Sequence, residues 1–476
     1  MAPGDIASNG RERLLSFSDS TGIKETSFSK DIEETKVYEK RWYILAMFTL
    51  LCAGQGIMYN TWAPIQSTAR AVYKWDAFMI DLMPAIGCLA PCLSIIPLGW
   101  LMDVKGLRVA VLLAAGGQFV GALLRCFPPG NNPWLLSTIL ICSGQAISGL
   151  VAPIPLSGGV LLSATWFPSS QRTISTAIVM AGASAGSALS FLIGPILVDD
   201  VAETVVANND GRYVLTTEQE NTYFSQIGAM FVMEVGLMGI LFLGIFLHFP
   251  DRPPKPPSRS SGAERADFKL GLSKLRRNIN FLMLASLYGV SCGVYSGWCS
   301  VLDQNLEEFG VGQKFAGWLG FIAVISGAFS GIFFSLFAGH FSSYLKEFLI
   351  LFMALASLSI LTMCFIFAKV IPFHRLLLCI VFGFTGFFVN GSVPFFFELG
   401  AEITYPVAEG ITSSVTKFAD YFLQAIFLIV SMGNFGAKWM TWVTMVTCAV
   451  TTVLLFFVKA KYNRIILDKK QTVLPD

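Results

Sequence analysis

Twelve long apolar runs constrain this chain more than any other feature. They lie at about 42–66, 77–102, 107–127, 134–163, 173–198, 223–249, 279–303, 315–341, 346–368, 373–400, 407–432 and 437–460. A run of about 20 apolar residues is what a helix needs to cross a bilayer core. Lipid offers no partner for backbone N–H and C=O groups, so each run must satisfy its own, as a helix does. The expected fold is therefore all-α and integral to the membrane. Composition agrees: 54% of the 476 residues are hydrophobic and only 13% are charged, against about 25% charged in soluble domains. The fourth run carries Pro153 and Pro155 and should kink.

The stretch 250–278 divides the runs into two sets of six. It is rich in Pro, Ser and basic residues and has almost no large apolar residue before Phe268, so it cannot fold as a domain of its own. The expected organisation is a tail at 1–41, a six-helix half at 42–249, the basic linker at 250–278, a second half at 279–460 and a tail at 461–476. Most of the 33 Lys and Arg fall in the tails, the linker and the loops on that same side. That asymmetry puts both termini in the cytosol. The N-terminus lacks a signal-peptide core, and the first run is read as an uncleaved anchor. The only Asn-x-Ser/Thr sequon, at Asn390, falls inside the tenth run.

Several classes are disfavoured. The net charge of +2 is small and suggests no nucleic acid as partner. There is no His-Glu-x-x-His and no Gly-x-Ser-x-Gly, and the three histidines are scattered. Neither an enzyme, a resident metal nor a cofactor is expected. The ten cysteines lie in or beside apolar runs and read as packed thiols. The expected partners are lipid, a small-molecule solute and protons.

Polar residues inside apolar runs mark function, because lipid-facing helices have no use for them. In the first run Gln55, Tyr59, Trp62 and Gln66 recur at helical spacing beside Asn60, which predicts one face lining a cavity, with helix packing and an interfacial aromatic belt as the structural alternative. Gln145, Tyr288, Tyr295 and Trp298 are further lining candidates. In the tenth run Asn390, Pro394, Glu398 and Glu402 are four apart, with Glu409 soon after. A partly desolvated carboxylate can carry a proton, which makes Glu398 the first coupling candidate and Asp81 and Glu234 the next. An ion pair or a helix cap is the structural alternative. Asp303 ends the seventh run, and Asp420 stands one turn from Lys417, a pairing that favours a structural role for both.

Between runs two and three the chain reads Gly99-Trp-Leu-Met-Asp103-Val-Lys105-Gly106-Leu-Arg108. It resembles the loop signature of the major facilitator superfamily, whose layout is also six spans plus six. Asp103 and Arg108 would pair across helix ends and gate the cytosolic side, with Asp303, Glu402 and Glu409 as further gating candidates. Glu12-Arg13-Leu14-Leu15 in the tail resembles a dileucine sorting signal read by clathrin adaptors, with its acid misplaced.

Within that superfamily the chain resembles the feline leukaemia virus subgroup C receptor family. The stretches carrying the resemblance are 60–66, 103–108, 297–303 and 390–410. The resemblance implies a lysosomal solute carrier that exports pyridoxine to the cytosol with protons, sorted by Leu14 and Leu15. Tyr59, Asn60, Trp62, Gln145, Tyr295, Trp298 and Asn390 would then touch the solute. Other branches move choline and ethanolamine, and haem is a further candidate there. Where the choline branch has a first-span Trp, this chain has Gly56, which weakens a cage for quaternary ammonium.

Overall fold

The structure, a computed structural model, describes residues 36–126, 133–168, 171–201, 215–255, 257, 268–307, 309–336, 344–405, 407, 409–433 and 438–460. Leu14, Leu15, the C-terminal tail, the middle of the linker (256 and 258–267) and 202–214 of the loop at 199–222 lie outside the described residues. Among the described residues, twelve helices are long and apolar enough to cross a membrane. In the first half these spans are Lys40–Tyr59, Phe78–Met102, Leu107–Cys126, Leu135–Trp166, Ile174–Leu197 and Thr217–His248. In the second they are Ile279–Ser300, Gln313–Phe334, Leu345–Phe367, Arg375–Thr404, Gly410–Ser431 and Lys438–Leu455. We call the end that holds Lys40 and the linker the near end, and the opposite end the far end.

Two spans depart from expectation, and a third breaks where its prolines predict. Span 1 stops at Tyr59, and a separate helix, Gln66–Val72, follows it. Pro64 lies in the gap; it lacks an N–H and disfavours helical backbone in Ala63. The face expected to run from Gln55 to Gln66 is thus broken after Tyr59. Span 4 breaks at Ala152, where Pro153 opens a second helix, Pro153–Trp166. Span 7 contains a π turn at Gly289–Gly293 and ends at Ser300, and a short helix, Leu302–Glu307, follows.

Helix ends are secured locally. Asp76 accepts from the Met79 N–H at the start of span 2, and Thr216 with Gln219 forms a capping box at span 6. The linker contributes an amphipathic helix, Phe268–Arg277. Its Leu275 is buried, its Leu272 packs on the second-half core, and Lys274, Arg276 and Arg277 are exposed.

Lipid tails are as apolar as leucine, so helices in a bilayer associate through close van der Waals packing. Glycines provide it here in both halves. A Cβ on Gly56 would sit 2.7 Å from the Ala183 carbonyl oxygen, and one on Gly186 would collide with that of Ala53. These contacts seal span 1 against span 5. Span 7 meets span 11 likewise, with a Cβ on Gly289 falling 2.5 Å from the Ala419 oxygen and one on Gly293 2.6 Å from the Asp420 oxygen. Gly386 presses on Ala323 between spans 10 and 8. Replacing Gly186 or Gly386 with Leu should abolish monodisperse protein in detergent size-exclusion chromatography. Gly228→Leu should leave the profile unchanged, because nothing lies within 4 Å of a Cβ there.

Candidate functional site

The two halves are tied together at the far end. Pro64 turns the chain so that Gln66–Val72 begins beside the Leu302–Glu307 helix. Asp303 Oδ2 accepts from the Ser67 N–H at 3.1 Å and from Ser67 Oγ at 2.9 Å. Ser67 Oγ and Thr68 Oγ1 also lie 3.0 and 3.1 Å from Gln313 Oε1. The Gln313 N–H donates back across the seam to Asp200. Gln66 also donates across the seam to the Ser300 carbonyl and Ser431 to Asp81, while within the second half Gln424 donates to the Ser300 hydroxyl. Ser67, Thr68, Asp303 and Gln313 are all buried.

Asp303 lies beyond the end of span 7. Burial pushes its carboxyl up to about 7, against the two Ser67 donors that lower it, with Glu307 and Asp200 adding negative charge. The sign follows. Opening the far end would rehydrate Asp303 and return it to the ordinary range near 4. Protonation therefore favours the closed arrangement: the gain is complete below the ordinary value and is lost as pH rises through about 7.

Inside the first half is a second polar cluster. Arg125 of span 3 pairs with Glu234 of span 6 at 3.2 Å, both side chains essentially without solvent access. Thr61 donates to Glu234 at 2.5 Å. Arg125 also reaches the Met58 carbonyl at 3.4 Å and Gln145 Oε1. Sequence reasoning passed over Arg125, although an arginine within span 3 was itself the signal: a charge at that depth requires a partner. Glu234 thus sits beneath a guanidinium, and Gln145 is oriented by it.

At mid-depth the seam collects a third group. Tyr59 Oη lies 3.0 Å from Cys88 Sγ. Gly87 leaves room for Tyr59 and Gln145, since its Cβ would fall 3.5 Å from the ring of one and 2.9 Å from the amide of the other. The Tyr59 hydroxyl is within electrostatic reach of Asp420 and Tyr421 across the seam. There Lys417 donates to Tyr288 Oη at 2.7 Å and to Asp420 Oδ2 at 3.1 Å. Its ammonium is 5.2 Å from the centre of the Tyr288 ring, off the hydroxyl edge, and 5.8 Å from the centre of the Phe397 ring.

The other expected site residues are dispersed. Asn60 donates to the Gly56 carbonyl at the end of span 1. Trp62 is buried at the far end against Trp75 and Phe231. Tyr295 stacks on Trp298, whose Nε1 donates to Thr441 within the second half. Asn390 packs on Gly327 of span 8. Glu398 is exposed and Glu402 buried, and both have partners. The Asp103 and Glu409 side chains lie outside the described residues. At the near end it is Asp251, unmarked by the sequence reading, that takes the Arg108 backbone N–H at 2.9 Å. It approaches over Gly106, whose φ of +88° and bare Cα admit it.

Twelve spans in two sets of six, hydrogen-bonded across one end and holding polar side chains at the mid-depth seam, define a membrane transporter fold. Known proteins concur. Residues 44–427 match the family model described as Major Facilitator Superfamily. "Solute carrier family 49 member 4 homolog" of Xenopus laevis is 32% identical over 439 residues, covering 91% of this chain and 94% of that protein. "Choline/ethanolamine transporter flvcr2b" of Danio rerio is 26% identical over 85% of this chain and 80% of that protein. The inward-open xylose transporter XylE from E. coli superposes with a TM-score of 0.66 at 12% identity, over 88% of this chain and 96% of that one. The chain belongs to the Major Facilitator Superfamily and, within it, to the solute carrier 49 family with its FLVCR relatives.

Removing one partner of a buried ion pair costs about 3–5 kcal/mol, whereas replacing both with apolar groups is far milder. Arg125→Met or Glu234→Leu alone should sharply lower the unfolding temperature in detergent, and the double variant should recover most of that loss.

Proposed function

We propose that this transporter moves a small polar ring solute, pyridoxine first, from the lysosome lumen to the cytosol by alternating access, driven by protons. In this reading the near end faces the cytosol, as the Lys and Arg asymmetry asks, and the far end faces the acidic lumen. Leu14 and Leu15 direct the chain there through clathrin adaptors. The observation that carries the reading is Asp303, a buried carboxyl shared between the halves at the far end. A lumenal proton on Asp303 stabilises closure towards the lumen, so acid drives the step that presents solute to the cytosol. Asp81, bonded across the seam to Ser431, is the second group whose surroundings change on opening. Glu234, held by Arg125, and Glu398, exposed on span 10, are the weaker coupling candidates. Tyr59 and Gln145 line the solute path from the first half.

A second reading, pH-independent movement of choline-like amines, draws on the printed names of the FLVCR relatives. Against it, the first-span Trp of the choline branch has no counterpart at Gly56, where even a Cβ meets span 5, although Tyr59 and Trp62 supply other first-half rings.

The test is uptake of labelled pyridoxine by cells expressing a Leu14→Ala/Leu15→Ala variant, which should reach the cell surface. Uptake should rise severalfold in acidic medium and collapse with a protonophore. Adding Asp303→Asn should flatten the pH profile. Surface protein without pyridoxine uptake at any pH rejects this solute, and a profile unmoved by Asp303→Asn rejects the proton's site.

A further inference from the structure

Lys417, Asp420, Tyr421 and Gln424 recur at intervals of three, four and seven and so share one face of span 11. That face meets the π turn of span 7, where Gly289 and Gly293 let the span 11 backbone approach. A π turn interrupts regular packing and recurs at functional sites. A purely structural ion pair should satisfy itself here, and this one does not. Asp420 spends one carboxylate oxygen on Lys417; its other oxygen is buried with no hydrogen-bond partner among the described residues. The Asp420 side chain is only 8% exposed, so the open acceptor cannot be met by bulk water. Lys417 spends two of its three N–H donors, on Tyr288 and Asp420. Tyr288 accepts in that bond, which leaves its own hydrogen to donate.

The rings add a constraint. Aromatic faces bind ligand cations such as quaternary ammonium. Here Lys417 stands off the hydroxyl edge of Tyr288, bonded to its Oη, with the centre of the Phe397 ring 5.8 Å away, so the cation beside these rings is the protein's own. A permanently charged cation arriving there would meet like charge instead of an open ring.

We propose that Lys417, Asp420 and Tyr288 form the solute-reading site, which takes a neutral or zwitterionic molecule bearing a hydrogen-bond donor beside an acceptor and rejects permanent cations. Asp420 receives the solute's donor, and Lys417 and Tyr288 meet its acceptor. The site deepens the transport reading and rests on it for the flux itself, but not on pyridoxine. Removing Lys417 would leave the buried Asp420 carboxylate without its cation beside the Tyr288 and Phe397 rings, a setting that attracts a quaternary ammonium.

The experiment is uptake of labelled choline and of labelled pyridoxine into proteoliposomes holding the purified full chain. Wild type should carry no choline above empty liposomes. Lys417→Gln should gain choline uptake by roughly tenfold or more and lose pyridoxine uptake by a similar factor, the effect of one charged contact in affinity. Lys417→Arg, which keeps the charge, should stay silent to choline. Lys417→Gln/Asp420→Asn should lose the gain again. Choline uptake by wild type or by Lys417→Arg overturns the proposal, as does monodisperse Lys417→Gln with no choline gain. If Lys417→Gln does not fold, wild type and Lys417→Arg decide by the same criterion. Wild type that carries neither solute removes pyridoxine from the functional reading and leaves the Lys417→Gln choline gain to decide the site.

Discussion

Two hydrogen bonds from Ser67 to Asp303 join the two halves at the far end, and the proposed alternating access depends on their breaking and re-forming. Their strength suits that role. A hydrogen bond exchanged with water contributes about 0.5–1.5 kcal/mol net, so a seam held by Ser67, Thr68, Gln313, Gln66 and Ser431 can open. Within the first half the scale differs. Separating Arg125 from Glu234 would strand a buried charge at about 3–5 kcal/mol. A single bond of the seam is thus weaker than the buried ion pair inside the first half, and the seam can be exchanged bond by bond as two bodies rock about a central site.

The bilayer explains why rigidity is built with glycine. Apolar side chains gain little by leaving lipid for one another, so spans adhere where backbones come close. Gly56 and Gly186 join spans 1 and 5, and Gly289 and Gly293 join spans 7 and 11. The second pair has a further effect: it presses the backbone of Lys417 and Asp420 against the π turn and sets their side chains beside Tyr288. One device thus supplies both the stiffness of a half and the position of its polar groups.

The spans were legible because length and apolarity suffice to define them, and Ala152 broke span 4 where Pro153 and Pro155 foretold. Pairwise geometry was less legible. The face from Tyr59 to Gln66 presumed a continuous helix, and Pro64 ended it, which sent Trp62 to the far-end core with Trp75 and Phe231. Arg125 was visible as an intramembrane charge, but its partner lies 109 residues away on span 6, a distance no local pattern encodes. Lys417 with Asp420 was readable as a local pair; that Tyr288 would share the lysine and that one Asp420 oxygen would stay open depends on the crossing of spans 7 and 11. Asp251 was hidden similarly, since its role at Arg108 exists only once the linker returns to span 3.

The central claim is that the Asp303 junction opens and closes the far end with protonation. Lys74 and Lys314 lie at that end on opposite halves with exposed side chains. Spin labels at those two positions, in the full chain reconstituted in lipid, report their separation by pulsed dipolar spectroscopy. A single short distance in acid, joined by a longer one as pH rises through about 7, is the predicted result, with Asp303→Asn held at the short distance throughout. A wild-type distance that does not change across that range would contradict the account.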